Sequence, residues 1–313
     1  MWGRAEDTPP QPAADVRAAP RRRGHGLRRV VPVVAVTAAL IAAWYLGAAA
    51  LNWGVVSDAR LRAGGPADPW TVLAGTMSHD RPLLPAPHQI TAEVWRATVE
   101  VAPTSRRSLL YHAGVTLSAA LVGLGLGTLG GVLLAVAIAQ SRALERILVP
   151  WLVASQAIPV LALAPIVIVA LGTLGLEGLL PKAIIAAYLC FFPVAISMTK
   201  GLGSADPLAR DLLRTYSATA AQVFWKLRLP ASLPFLFAGL KVAAAASVVG
   251  AIVAELPTGA QAGLGARLLA GSYFGQTVQI WAALVAAAVL SASLVGVLAA
   301  TERLVGRRMG ARA

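Results

Sequence analysis

Long apolar runs broken by short polar stretches set the pattern of this chain. Residues 30–53, 113–141, 147–176, 182–199, 235–255 and 278–300 are each nearly free of charge. A helix rises 1.5 Å per residue, so about 20 apolar residues cross the roughly 30 Å hydrocarbon core of a bilayer. The pattern therefore predicts six membrane-spanning helices. The second run carries Gly123, Gly125, Gly127, Gly130 and Gly131, small residues that let membrane helices approach closely. The third run exceeds one ideal span and holds Pro150, Pro159 and Pro165, which predicts a helix kinked or broken near Pro159 to Pro165.

The polar stretches divide the chain further. Residues 1–29, rich in Pro, Ala and Arg, read as a disordered basic tail. A secretory signal is the competing reading, but the run at 30–53 is long enough to span and is expected to be retained as a first helix. Residues 54–112 hold Gly64-Gly65-Pro66, Asp68-Pro69 and Pro85-Ala86-Pro87 as breakers, predicting an outer loop with one short helix near 90–101. Five helices with a polar segment at 203–234 then fill 113–301, and 302–313 forms a second tail.

Composition sharpens the class. The chain is 57% hydrophobic and 13% charged, against about a quarter charged in soluble domains, so it reads as a polytopic membrane protein. The net charge of +13 could suggest nucleic acid, but the arginines flank apolar runs and form no basic face. Topology explains them better. Eighteen of the 27 Lys and Arg fall on the side of the two termini and the 203–234 segment, and eight on the other. By the positive-inside rule both termini and that segment are expected in the cytoplasm. The lone Cys190 sits in an apolar run and excludes a disulfide framework; packing is its simplest role. His112 with Tyr111 reads as an interfacial belt, and His25, His79 and His88 have no ligand spacing, so no metal and no catalytic set are assigned.

The 203–234 segment is where such a chain must meet something soluble. Asp206-Pro207 reads as a helix start, with Leu208, Leu212 and Leu213 opposite Arg210 and Arg214. A break near Ser217 and a second short helix over 220–229, ended by Leu229-Pro230, complete the expectation. One reading is a basic surface helix resting on lipid headgroups. The other is a docking element for a cytoplasmic partner, with aromatic and Arg anchors.

Here the sequence resembles the permease subunits of binding-protein-dependent ABC importers. These carry a cytoplasmic loop of pattern Glu-Ala-Ala, three residues, Gly, nine residues, Ile-x-Leu-Pro before the penultimate span. Aligned on Leu229-Pro230, Leu227 stands at the Ile, Ser217 at the Gly, and Asp211-Leu212-Leu213 at the Glu-Ala-Ala. The residues are kept or mildly changed, and two departures matter: Asp for Glu and Ser for Gly. The stretches 230–241, 248–255, 158–166, 191–193 and 83–87 look like the branch importing nitrate, sulfonates and taurine, which also includes carriers of pyrimidine-type vitamin precursors.

The resemblance implies an all-α type I ABC importer permease fold and a docking set of Asp211, Leu212, Leu213, Arg214, Ser217, Phe224, Leu227, Leu229 and Pro230. It also implies a permease homodimer in membrane lipid of the bacterial inner membrane, cytoplasmic ATPase subunits and an extracytoplasmic solute-binding protein. The chain has no Gly-x-x-x-x-Gly-Lys-Ser/Thr loop, so ATP and Mg would sit on the partner ATPase and no cofactor on this chain.

Four polar residues in the spans are pathway candidates. Lys241 and Glu255 bracket the fifth span; they lie about 40° apart around a helix and about 21 Å apart along it, sharing a face without pairing. They read either as interfacial, with Lys241 at inner headgroups and Glu255 at the outer surface, or as lining a pathway. Ser155 and Gln156 stand at the expected break in the third span, as interhelical hydrogen-bonders or pathway groups. An ion-coupled secondary transporter would show duplicated halves, and an intramembrane enzyme a motif such as His-Glu-x-x-His; neither is found.

Overall fold

A computed structural model describes residues 25–65, 68–257 and 260–308, and all its regular elements are helical. Residues 1–24 of the expected tail, and 309–313 at the other end, lie outside the described residues. The first helix, α1, runs His25–Arg62, longer than the expected span. Among the described residues, those up to Leu46 form one compact unit and those from Gly47 onward a second, which holds the end of α1 and every later helix.

The stretch read as an outer loop contains α2 (Pro69–Ser78), α3 (Pro87–Trp95) and a π-helical turn (Arg96–Glu100). The prolines that read as breakers are helix starts. Pro69 and Pro87 each open a helix, where a missing N–H removes nothing that would have been bonded. Asp68 caps α2 by accepting from the Thr71 amide at 3.2 Å. Asn52, fully buried on α1, donates to Leu84 O at 2.8 Å and accepts from the Leu83 amide at 2.7 Å, tying the extended stretch before α3 to the helix.

The core is built on three long helices: α4 (Leu109–Gln140), α7 (Leu179–Gly203) and α10 (Leu229–Glu255). Helix α4 meets α7 along Gly123, Gly127 and Gly131. Ideal Cβ atoms there would stand 2.4 Å from Ala186 Cβ, 2.6 Å from Cys190 Cβ and 2.7 Å from Phe191 O. Backbones packed this closely gain dispersion contacts that lipid cannot supply. Gly125 and Gly130 meet nothing within 4 Å, so the seam uses every fourth residue and leaves the other two out. Helix α10 packs on α7 by the same device, with Gly250 against Ala186 and Gly239 against Pro193 and Ser197.

Helices α5 (Arg142–Ser155) and α6 (Val160–Gly172) are the third apolar run, bent by 95° across residues 156–159. The break falls at Pro159, which has no N–H to continue the ladder, whereas Pro150 and Pro165 are absorbed inside helices. Beyond α10, α11 (Leu264–Tyr273) leads into α12 (Thr277–Arg308). Among the described residues, five continuous helices are long and apolar enough to cross a bilayer, and the bent pair supplies a sixth span if counted as one.

Candidate functional site

Two regions of the second unit carry chemistry that packing alone does not explain. The first is the 203–234 segment. Helix α8 (Pro207–Thr215) starts at Asp206, whose carboxylate accepts from the Leu208 amide at 3.0 Å. On it Leu208, Leu212 and the following Tyr216 are spaced four apart and are 78%, 57% and 77% exposed. This is an apolar stripe turned outward. Beside it Asp211 and Arg214 pair at 3.5 Å, both largely exposed.

The break comes where the spacing puts it. The Ala218 amide bonds Leu213 O at 3.0 Å and the Ser217 amide bonds Arg214 O at 2.9 Å, the paired bonds of a Schellman cap. That cap needs a left-handed residue, and Ser217, at φ 54°, is the one non-glycine with positive φ among the described residues. Helix α6 ends in the same bonds with Gly175 at φ 74°.

The second half of the segment differs from the expectation. Thr219 and Gln222 cap α9 (Ala220–Val223) reciprocally, at 3.3 and 2.9 Å. The helix does not stop at Leu229-Pro230. It passes through a π-helical turn (Phe224–Arg228) directly into α10, one continuous helix from Ala220 to Glu255. The Leu229 amide reaches back to Phe224 O, and the wider turn brings Pro230 into the first turn of α10, where its lack of a donor is tolerated.

Asp211, Leu212, Arg214 and Ser217 are thus exposed, while Leu213, Phe224, Leu227, Leu229 and Pro230 are half-buried. Phe224 and Leu229 pack against Ala135, Met198 and Leu202. Arg228 donates to Leu202 O at 2.9 Å and Ala139 O at 3.4 Å, so one guanidinium ties the segment to the last turns of both α7 and α4. Tyr216 and Trp225, the latter 66% exposed, extend the surface beyond the residues read from the motif. The four-residue spacing from Leu208 was the signal that could have found Tyr216.

The second region is at the far end of α10. Glu255 is not at a surface but fully buried. Its carboxylate lies 3.0 and 3.1 Å from Thr116 Oγ1, accepts from the Gly265 amide at 2.8 Å, and stands 3.8 Å from Lys182 Nζ. Thr116 in turn accepts from the Leu264 amide at 2.9 Å. His112 is likewise buried and no interfacial belt: its Nδ1 accepts from the Gly263 amide at 3.0 Å, which leaves Nε2 to donate to Arg106 O at 2.9 Å. Buried amides and a buried carboxylate must find partners, and here His112, Thr116 and Glu255 each take one of the three amides. Together these bonds fasten residues 263–265 onto α4 and α10.

Lys241 and Glu255 do not pair, as their separation requires. Lys241 instead bridges to Glu302 on α12 at 2.8 Å, half-exposed. The Ser155 hydroxyl bonds within its own helix to Leu152 O at 2.7 Å, and the link between helices runs from the Tyr188 hydroxyl to the Ser155 carbonyl. Gln156 is exposed at the α5–α6 break.

A pocket of about 620 Å³ opens beside the Glu255 cluster, bordered by α4, α6, the start of α7 and residues 260–262. Lys182, 8% exposed, forms part of its lining and donates to Ala262 O at 3.3 Å. Sequence reasoning counts Lys182 only as an outer charge and passes over Thr116; a lysine inside the α7 span is the available signal.

Comparison with known proteins gives a consistent picture. The family described as "Binding-protein-dependent transport system inner membrane component" matches residues 127–311. The formylaminopyrimidine transport permease of Halalkalibacterium halodurans is 36% identical, over 58% of this chain and 68% of that protein. The riboflavin transport system permease of Chloroflexus aurantiacus is 32% identical, over 72% and 80%. The taurine transport system permease of Escherichia coli is 26% identical, over 71% and 78%.

Proposed function

The chain belongs to the binding-protein-dependent transport system inner membrane component family and is thus an ABC importer permease; on that premise we propose that segment 203–234 is where a cytoplasmic ATPase docks. The observation that carries this is the outward stripe of Leu208, Leu212 and Tyr216 beside the exposed Asp211–Arg214 pair. Apolar and charged anchors set together on a short rigid helix are what a protein partner binds, and a helix of this length gains nothing by exposing three large apolar groups to water.

In this reading two copies of the chain form the pathway in membrane lipid, with both termini in the cytoplasm. An ATPase, carrying ATP and Mg, engages α8 of each copy, and an extracytoplasmic binding protein delivers the solute. Closure of the ATPases moves α8. The motion passes through Arg228 to the ends of α4 and α7, and through the unbroken 220–255 helix to the Glu255 cluster. This chain binds no nucleotide itself.

The solute is a small polar molecule of the nitrate, sulfonate or taurine kind, or a pyrimidine-type vitamin precursor; relatives named for both kinds support the two readings. The docking test is co-purification. The chain should retain an ATPase encoded beside it, and Asp211→Arg with Arg214→Glu should release it without lowering thermal stability. Full retention by the double variant overturns the assignment of the docking surface. Thermal shift of the binding protein against sulfonates, nitrate and pyrimidines decides the solute.

A further inference from the structure

Resting on the permease reading, we propose that the pocket between α4, α6, α7 and residues 260–262 is a solute-binding site within this chain, in which Lys182 meets the solute's acceptor end. Its volume, about 620 Å³, falls within the range of small-molecule pockets. Val115 and Ile168 give it apolar walls, and Ser118, Gln261, Glu177 and Lys182 converge on it as the polar groups. Few polar groups on an apolar wall is the composition that orients a ligand.

Lys182 is the unusual member. It lies within the α7 span, and an ionisable group there is retained where it faces a partner or a cavity. Both are present. Glu255 pairs with Lys182 at 3.8 Å, while the carboxylate's shorter contacts go to Thr116 and the Gly265 amide. The ammonium has three donors, and Ala262 O at 3.3 Å takes one. Glu255 therefore offsets the charge of Lys182, and with Ala262 O and Glu255 each facing one donor, the third is left to the pocket.

The exposed Glu177 on the same pocket adds a group of opposite sign. A site with one ammonium and one carboxylate suits a compact solute bearing an acceptor at one end, such as a sulfonate or a ring carbonyl, and an N–H donor at the other. It disfavours a bare inorganic anion, which Glu177 would repel.

The purified chain in lipid nanodiscs, without ATPase or binding protein, tests this by calorimetric titration with taurine, methanesulfonate, nitrate, formylaminopyrimidine and riboflavin. Taurine or formylaminopyrimidine should bind, and both Lys182→Gln and Gly172→Trp should weaken that binding at least tenfold. Gly172 lines the pocket, and a Cβ there meets nothing within 4 Å, so the tryptophan fills space without crowding backbone. Should Lys182→Gln fail to fold, Gly172→Trp decides alone. Binding of none of the five, binding of nitrate in preference to the others, or wild-type affinity in the folded variants overturns the site. ATPase co-purification and uptake by the assembled transporter report separately on the permease reading, so the two can fail independently.

Discussion

An ideal Cβ on Gly263 would stand 2.2 Å from the Glu255 carboxyl carbon. Glycine at this point, at φ 126°, lets the chain after α10 fold back over the buried carboxylate and offer it the Gly265 amide. Gly263→Ala should destabilise the protein by about 2–4 kcal/mol through strain and clash together, read as a lowered melting temperature in detergent. Glu255→Gln keeps the shape but removes the charge facing Lys182; assembly should survive and uptake should fall. Normal uptake by that variant would reject a role for Glu255 in the pathway.

The α4–α7 seam gives a prediction with its own control. Gly127→Ala sets a methyl 2.7 Å from Ala187 O and 2.6 Å from Cys190 Cβ, and the helices must part. Overpacking of this kind costs about 1–3 kcal/mol. Gly125→Ala, two residues away, meets nothing within 4 Å and should leave stability unchanged or slightly raised. Equal melting temperatures for the two variants would contradict the seam.

Ser217 holds a left-handed conformation in a cap that elsewhere in the chain is closed by glycine, at Gly175 and Gly275. An L side chain there costs roughly 1–2 kcal/mol, partly offset by the extra freedom glycine has when unfolded. Ser217→Gly should therefore stabilise by up to about 1 kcal/mol, and Ser217→Val should destabilise. A lower melting temperature for Ser217→Gly would show that the serine makes a compensating contact.

Leu208 and Leu212 are exposed on α8, so replacing both with serine should change stability by no more than about 0.5 kcal/mol each. If the stripe is a docking surface, the same change weakens ATPase binding tenfold or more, about 1.4 kcal/mol. Unchanged affinity, measured by titrating the purified ATPase onto nanodisc-embedded permease, would remove the stripe from the interface.

Much of the architecture is legible because its signals are local. Apolar run length gives the spans, Pro159 the broken third run, and Asp206-Pro207 the start of α8. The departures share a cause. Proline reads as a terminator at 54–112 and at Pro230, yet at Pro69, Pro87 and Pro230 it occupies the first turn of a helix, where its missing donor is harmless. Whether a proline ends one helix or begins another depends on which neighbours satisfy the adjoining carbonyls.

An all-helical membrane chain, the position of its polar segment and the break within it near Ser217 are written into the sequence, since each follows from composition, periodicity or spacing over a few residues. The partners of the charged groups are not, and depend on how the helices pack. Lys241 and Glu255 share one helix, but Lys241 finds Glu302 on α12, while Glu255 finds Thr116 and the Gly265 amide and stands beside Lys182. Thr116 and Glu255 are separated by 139 positions. No local pattern encodes such a pair; it exists because the glycine seams bring α4, α7 and α10 close enough for the buried carboxylate to reach Thr116 on α4 and Lys182 on α7.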